Sequence, residues 1–271
     1  MNICFYTSSA PSAASMLNIG YLISKLPAHN YSFIMIQRPQ LSTPSLKDSL
    51  RQRYARFRYN DGRFDFGDDI TALSARIQGQ VTAFNFKDFP CYNVSEVNDL
   101  ATERALDEIK PDIIIQAGAG ILKENVFSKA AIGTINLHHG LAPEIRGIHS
   151  TFWCMFYGVK DMIGVTCHLI DAGLDTGAVI AKQALHTNAV TYIDTEYENY
   201  MMGRDVLVQS INILAKGNLI RVNEGEVRSY YFSNPDNFLY YALKQRQFHS
   251  LMSIKSRAFT MRSVTRVVNA V

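Results

Sequence analysis

The chain has 271 residues, of which 47% are hydrophobic and 19% charged, and a formal net charge of +3. That is long enough to bury a sizeable core as one large domain or a domain with an appendage, and apolar enough to be globular. The mild charge gives no strong push toward nucleic acid, and no apolar run approaches the twenty or so residues of a membrane span.

The four cysteines, Cys4, Cys91, Cys154 and Cys167, are scattered without a Cys-x-x-Cys pair. This argues against a zinc knuckle or a disulfide framework and for a reduced, cytoplasmic setting. The first six residues lack the basic stretch of a signal peptide and read as the first strand.

Ile3 to Tyr6 is a short apolar strand, Thr7 to Ser12 a polar turn, and Ala13 to Leu26 a helix, which is how a Rossmann-like domain begins. The turn has two readings. Its hydroxyls, Ser8 and Ser9 among them, could bind an anion with the helix N-terminus, or Ser8, Ser9 and Ser12 simply cap the helix. No glycine-rich fingerprint is present, so no dinucleotide site is expected. Tyr31 to Ile36 is the second strand. Beyond it the pattern loosens as far as Pro90, and Arg51, Arg53, Arg56, Arg58 and Arg63 alternate with Tyr54, Phe57, Tyr59, Phe64 and Phe66. This is either a surface for a phosphorylated or nucleotide substrate or an amphipathic helix packing its aromatics.

Asn98 to Lys110 reads as a helix closed by Pro111, and Asp112 to Gln116 as a buried strand. The glycines of Ala117 to Leu122 either let the backbone approach a ligand or make a tight strand-to-helix turn. Ile132, Ile135 and Leu137 mark the next strand, on which Asn136 and His138 fall two apart and so share a face. Gly140, Pro143 and Gly147 end it. Gly164 to Ile170 is another strand, running into a loop that holds Asp171 and Asp175; if the two strands are neighbours, a carboxylate lands beside the imidazole. His139 points away from His138 on a strand, so the pair does not chelate a metal from one side.

His149 to Tyr157 reads as a helix carrying Trp153, as core or pocket wall. Val179 to Ala181 starts a strand, and Thr191 to Ala215 is a long helix capped by Asp194 or Thr195. Arg228 to Phe232 is a strand or hairpin. After Asp236 the chain has no acidic residue, but has Lys244, Arg246, Lys255, Arg257, Arg262 and Arg266. Such a basic tail could meet a membrane surface, a partner or an acidic substrate, or be a solvated end.

Asn-x-His followed by Gly-x-x-Pro-x-x-Arg-Gly, with Leu174-Asp175-Thr176-Gly177 further on, resembles the signature of the folate-dependent formyltransferases, which act on glycinamide ribonucleotide, methionyl-tRNA or nucleotide sugars. The resemblance covers about Val97 to Gln183. The expected fold is α/β, a Rossmann-like, mostly parallel twisted sheet flanked by helices. A catalytic domain is expected over residues 1–217, with an insertion at about 40–90, and a small C-terminal extension over 218–271.

The resemblance implies Asn136, His138 and Asp175 as catalytic residues. It implies a folate site at Gly118, Gly120, Ile121, Leu122, Asp171, Ala172 and Gly173, and substrate contacts at Ser8, Ser9, Pro143 and Arg146. The reaction implied is formyl transfer from N10-formyltetrahydrofolate to a primary amine, without a metal. Asn136 and a protonated or donor-tautomer His138 would face the developing oxyanion, and Asp175 would orient His138 and favour its charged form. An amino sugar on a nucleotide is the expected acceptor, since the longer β-barrel domain of methionyl-tRNA formyltransferases is not recognisable here. Glycinamide ribonucleotide, a modified amino acid, methionyl-tRNA (against which the unrecognised barrel counts), hydrolysis of the formylfolate, and a non-catalytic folate or nucleotide binder are the alternatives. The reading leaves room for a homodimer.

Overall fold

The computed structural model describes residues 1–37, 66–217, 229–233, 235, 239–240, 242–244 and 246–247, with the side chains of 66–68 left out. The arginine-rich run Arg51 to Arg63 and the basic residues from Lys255 onward lie outside the described residues.

Strands β1 (Asn2–Ser8), β2 (Asn30–Ile36), β3 (Cys91–Val94), β4 (Ile113–Ala117), β5 (Gly133–His138), β7 (Gly164–Leu169) and β8 (Val179–Ala184) form one sheet, in the order β3-β2-β1-β4-β5-β7-β8. The first five run parallel, β7 runs against β5, and β8 runs against β7. The apolar runs of β1 and β4 are buried on both faces, as a central parallel strand requires. Ile3, Phe5, Ile113, Ile115 and Ile135 point to one face, where α1 (Ala13–Lys25) and α6 (Tyr192–Ala215) cover them with Ile19, Leu22, Val206, Leu207 and Ile211. Cys4, Tyr6 and Ile114 point to the other, under α3 (Leu100–Ile109) and α4 (Glu124–Phe127). The period-two alternation thus builds a three-layer α/β fold.

Helix boundaries follow local chemistry. Ser12 caps α1 by accepting from the Ser15 amide, and Asp99 caps α3 by accepting from the Thr102 amide. The cap of α6 is Thr191, not the expected Asp194 or Thr195. Its hydroxyl accepts from the Asp194 amide and donates to the Asp194 carboxylate at 2.6 Å, a reciprocal arrangement that places the aspartate inside the first turn. Helix α2 (Phe66–Gln78) packs against α1 and α6. No helix among the described residues is long and apolar enough to cross a membrane.

A two-stranded parallel sheet joins β6 (Ile145–Gly147) to β9 (Tyr230–Phe232). Beneath it, α5 (Ser150–Tyr157) contributes Phe152 and Trp153 to a cluster with Tyr192 and Tyr240. Trp153 is therefore core: its ring stacks on Phe232 and its indole N–H donates to the Ser233 carbonyl at 2.8 Å. Of the basic tail, Lys244 pairs with Asp69, and Arg246 donates to the Phe156 carbonyl at 3.0 Å.

Candidate active site

The carboxyl ends of β1, β4 and β5 lie at one edge of the sheet, the position at which open α/β folds bind ligands. At the end of β5 the strand alternation turns Asn136 and His138 to the same side. Antiparallel pairing with β7 then sets His168 opposite Asn136 and Thr166 opposite His138. Thr166 pins the following turn, donating to the Gly140 carbonyl at 2.8 Å and accepting from the Ala142 amide at 3.0 Å. A Cβ on Gly140 would collide with His138 Nε2 and come within 2.7 Å of Ser150 Oγ and 2.9 Å of the Ile145 oxygen. Only glycine here lets the imidazole lie across the turn and donate its Nε2–H to Ile145 O at 2.9 Å.

Asp175 reaches the same point from the loop after β7. Its backbone is left-handed (φ 51°), a strained conformation for a non-glycine residue, and it accepts from the Gly147 amide at 3.1 Å. The same oxygen stands 3.8 Å from His138 Nδ1, and the other lies 3.5 Å from His168 Nε2 and 3.5 Å from Asn136 Nδ2. The His168 Nδ1–H is committed to the Leu169 carbonyl at 2.8 Å, so Nε2 faces Asn136 at 3.4 Å and the carboxylate. No local pattern marks His168, which lies in an apolar strand and gains its place from the register with Asn136.

Burial would raise the Asp175 carboxyl, but the two imidazoles and the Gly147 amide together hold it at about 2. Burial also lowers His138, and the pull of Asp175 and the Ile145 carbonyl does not restore it to its usual value. Asp175 favours the charged imidazole as expected, but desolvation outweighs it. The expected donor tautomer is also unsupported, because Nε2–H is taken by Ile145. What remains is a neutral ring whose Nδ1 can accept a proton, giving an imidazolium held between Ile145 O and Asp175. His139 turns the other way, packs on the Tyr200 ring with 4.3 Å between centres, and is pushed down to about 3 by burial.

These groups form the floor of a cleft of about 580 Å³. One wall is the Gly120, Ile121 and Leu122 backbone, folded by Gln116, whose amide donates to Gly120 O and accepts from Gly118 N–H. The other wall holds Asp171, Ala172 and Gly173; Asp171 accepts from the Gly173 amide and the Thr176 hydroxyl. Gly118 faces a smaller cavity of about 150 Å³ behind Asn136. The remaining candidates do not line the cleft. Ser8 accepts from the Ala10 amide, Ser9 N–H binds the Ile36 carbonyl, and the Pro143 carbonyl accepts from Ser229. Arg146 braces Ser229 and the Leu174 carbonyl.

A family model described as "Formyl transferase" matches residues 68–206, about half of the chain. The chain belongs to the formyl transferase family. Among its relatives is the methionyl-tRNA formyltransferase of Clostridium beijerinckii, 37% identical over 127 residues, which are 46% of this chain and 41% of that protein. The chain thus matches less than half the length of that relative. Similar solved structures include a sugar N-formyltransferase from a Shewanella species (13% identity, TM-score 0.53, covering 86% of this chain and 76% of that one). Another is the N-formyltransferase of Helicobacter canadensis in complex with folinic acid and dTDP-3-aminofucose (16% identity, TM-score 0.52, 95% and 84%). At these identities the likeness speaks for the formyltransferase fold.

Proposed function

We propose that this formyl transferase moves a formyl group from N10-formyltetrahydrofolate to the primary amine of a small acceptor, an amino sugar carried on a nucleotide. The observation that carries the reading is the convergence of Asn136, His138 and Asp175 on the floor of one cleft. The cleft suits a flat heteroaromatic ring. Its walls are backbone-rich, Gly120 adopts a φ of +117° that opens the main chain to a ligand, and Ile121 and Leu174 stand exposed at its mouth. Gly120, Ile121, Leu122 and the 171–173 loop would hold the folate, which supplies the formyl group.

Within this reading one Asn136 amide N–H exchanges its long 3.5 Å contact with Asp175 for the oxygen on which negative charge grows as the amine attacks. One such donor lowers the barrier by about 3 kcal/mol. His138 receives the amine's proton at Nδ1, Asp175 stabilises the cation so formed, and the ring then returns the proton to the leaving nitrogen. His168 Nε2 accepts from the Asn136 amide and so keeps it in place. A cytoplasmic location goes with this chemistry.

The acceptor is supported by the amino-sugar ligand named for the Helicobacter protein, whereas the sequence relatives are methionyl-tRNA formyltransferases. The test is tetrahydrofolate release from N10-formyltetrahydrofolate with dTDP-3-aminofucose, other amino-sugar nucleotides, or methionyl-tRNA, using His138→Ala as the blank. Sugar-dependent release that vanishes in the variant supports the reading. Release without any amine points to a hydrolase, and release with methionyl-tRNA alone replaces the acceptor.

A further inference from the structure

On the cleft wall formed by α6 sits a carboxyl group that formyl transfer as outlined above does not use. Glu196 is 5% exposed and lines the cleft, and its Oε2 is buried without a hydrogen-bond partner. Among the described residues no lysine, arginine or histidine forms an ion pair with it. The Thr151 hydroxyl, which accepts from Asn199 Nδ2 at 3.1 Å, is left free to donate to this carboxyl. On the adjoining turn of α5, Ser150 Oγ is also buried and unpartnered, and it borders the same Gly140 position as His138 Nε2. One turn along α6, Tyr200 closes the wall.

A buried carboxylate without a cation is strongly destabilising, and unpaired buried oxygens add to this. A water molecule brings two donors and no charge. An ammonium group brings three donors and the missing charge. We propose that Glu196, with Ser150 lining the same cleft, forms an ammonium pocket that seats the acceptor's amine and takes its first proton. The proposal rests on the reading of the cleft as a formyl-transfer site.

The protons balance. The ammonium gives one proton to Glu196 and becomes nucleophilic. As its nitrogen bonds to the formyl carbon it loses a second through His138, and the folate nitrogen gains that one when its own bond to the formyl carbon breaks. Glu196 releases the first proton to water after the amide product leaves. Burial raises the Glu196 carboxyl from 4.5 to about 7, with the Thr151 hydroxyl partly opposing it, so the group can exchange a proton near neutrality.

The test follows the carboxyl itself. In protein labelled with 13C at the glutamate side-chain carbonyl, the resonance missing from Glu196→Gln is titrated with ethanolammonium or with ethylene glycol, its neutral counterpart. Ethanolammonium is expected to lower the midpoint by about one pH unit, a tenfold preference for the carboxylate, and ethylene glycol to leave it in place. An unmoved midpoint up to the solubility limit, or equal movement by both, overturns the pocket. In turnover, Glu196→Gln is expected to raise KM for the amino-sugar nucleotide about tenfold while calorimetric affinity for 5-formyltetrahydrofolate stays the same; an unchanged acceptor KM also overturns it. Wild-type protein that transfers to no amine yet shows the ethanolammonium shift refutes formyl transfer and supports the pocket.

Discussion

Glu196→Gln also has a consequence for stability that needs no substrate. The unfolded chain releases the Glu196 proton near the usual 4.5, whereas the folded protein keeps it to about 7. Between those values the folded state binds more protons than the unfolded one, so this residue's contribution is fully present below 4.5 and is lost as pH rises through 7. At about 1.4 kcal/mol per pH unit the loss totals about 3 kcal/mol. Burial is nearly complete, so solvent screening removes little of it. Glutamine keeps the shape and can still accept from Thr151, but has no proton to lose. Stability from urea unfolding of both proteins, taken at several points from about pH 4.5 to about pH 8, should show the variant gaining on the wild type across that window and then levelling. A difference that stays flat with pH would mean that Glu196 is hydrated or paired in the folded protein and would refute the reasoning.

Asp175→Asn should act with the opposite sign. Its carboxyl is held at about 2 against the usual 3.8, so the stabilisation is present above 3.8 and fades as pH falls toward 2. The variant should be less stable by about 2 kcal/mol at neutral pH, with the gap closing in acid, as read by denaturant unfolding. Gly140→Ala should fold but displace the His138 ring, lowering kcat about a hundredfold with folate affinity kept, as befits a misplacement of an ångström or so. His168→Leu should lower kcat about tenfold and leave both KM values near wild type, the loss of one hydrogen-bond acceptor for Asn136. Asp171→Ala releases the Gly173 and Thr176 contacts and should raise KM for the formylfolate more than it changes kcat; equal KM values would remove that loop from the folate wall.

The sheet was legible because its strands are buried on both faces: Ile113, Ile114 and Ile115 could be little else than a central strand, and the helices between strands carried clear apolar stripes. Asn136 and His138 were legible together because a period of two places them on one face whatever the strand's neighbours. His168 was not, since its role depends on the antiparallel register with Asn136, which no local pattern carries. Glu196 and Glu198 are alike in the sequence, yet the first is buried and the second exposed. Only the helical phase through Asn199, Gly203, Val206 and Leu207 separates them. The cap of α6 was misplaced for a related reason: threonine, aspartate and threonine follow within five residues, and the side-chain geometry chooses among them. Burial set the charge state of His138, where a carboxylate nearby had suggested the reverse.

Strand β6 has only β9 as a sheet partner among the described residues, and it is the amide of Gly147 in β6 that holds Asp175. A chain made N-terminus first, at about 5–20 residues per second, therefore has every strand of its seven-stranded sheet before the partner of β6 is made. In the proposed mechanism the strand that pairs with the Asp175-holding segment, Tyr230 to Phe232, is the last of the described strands to be made.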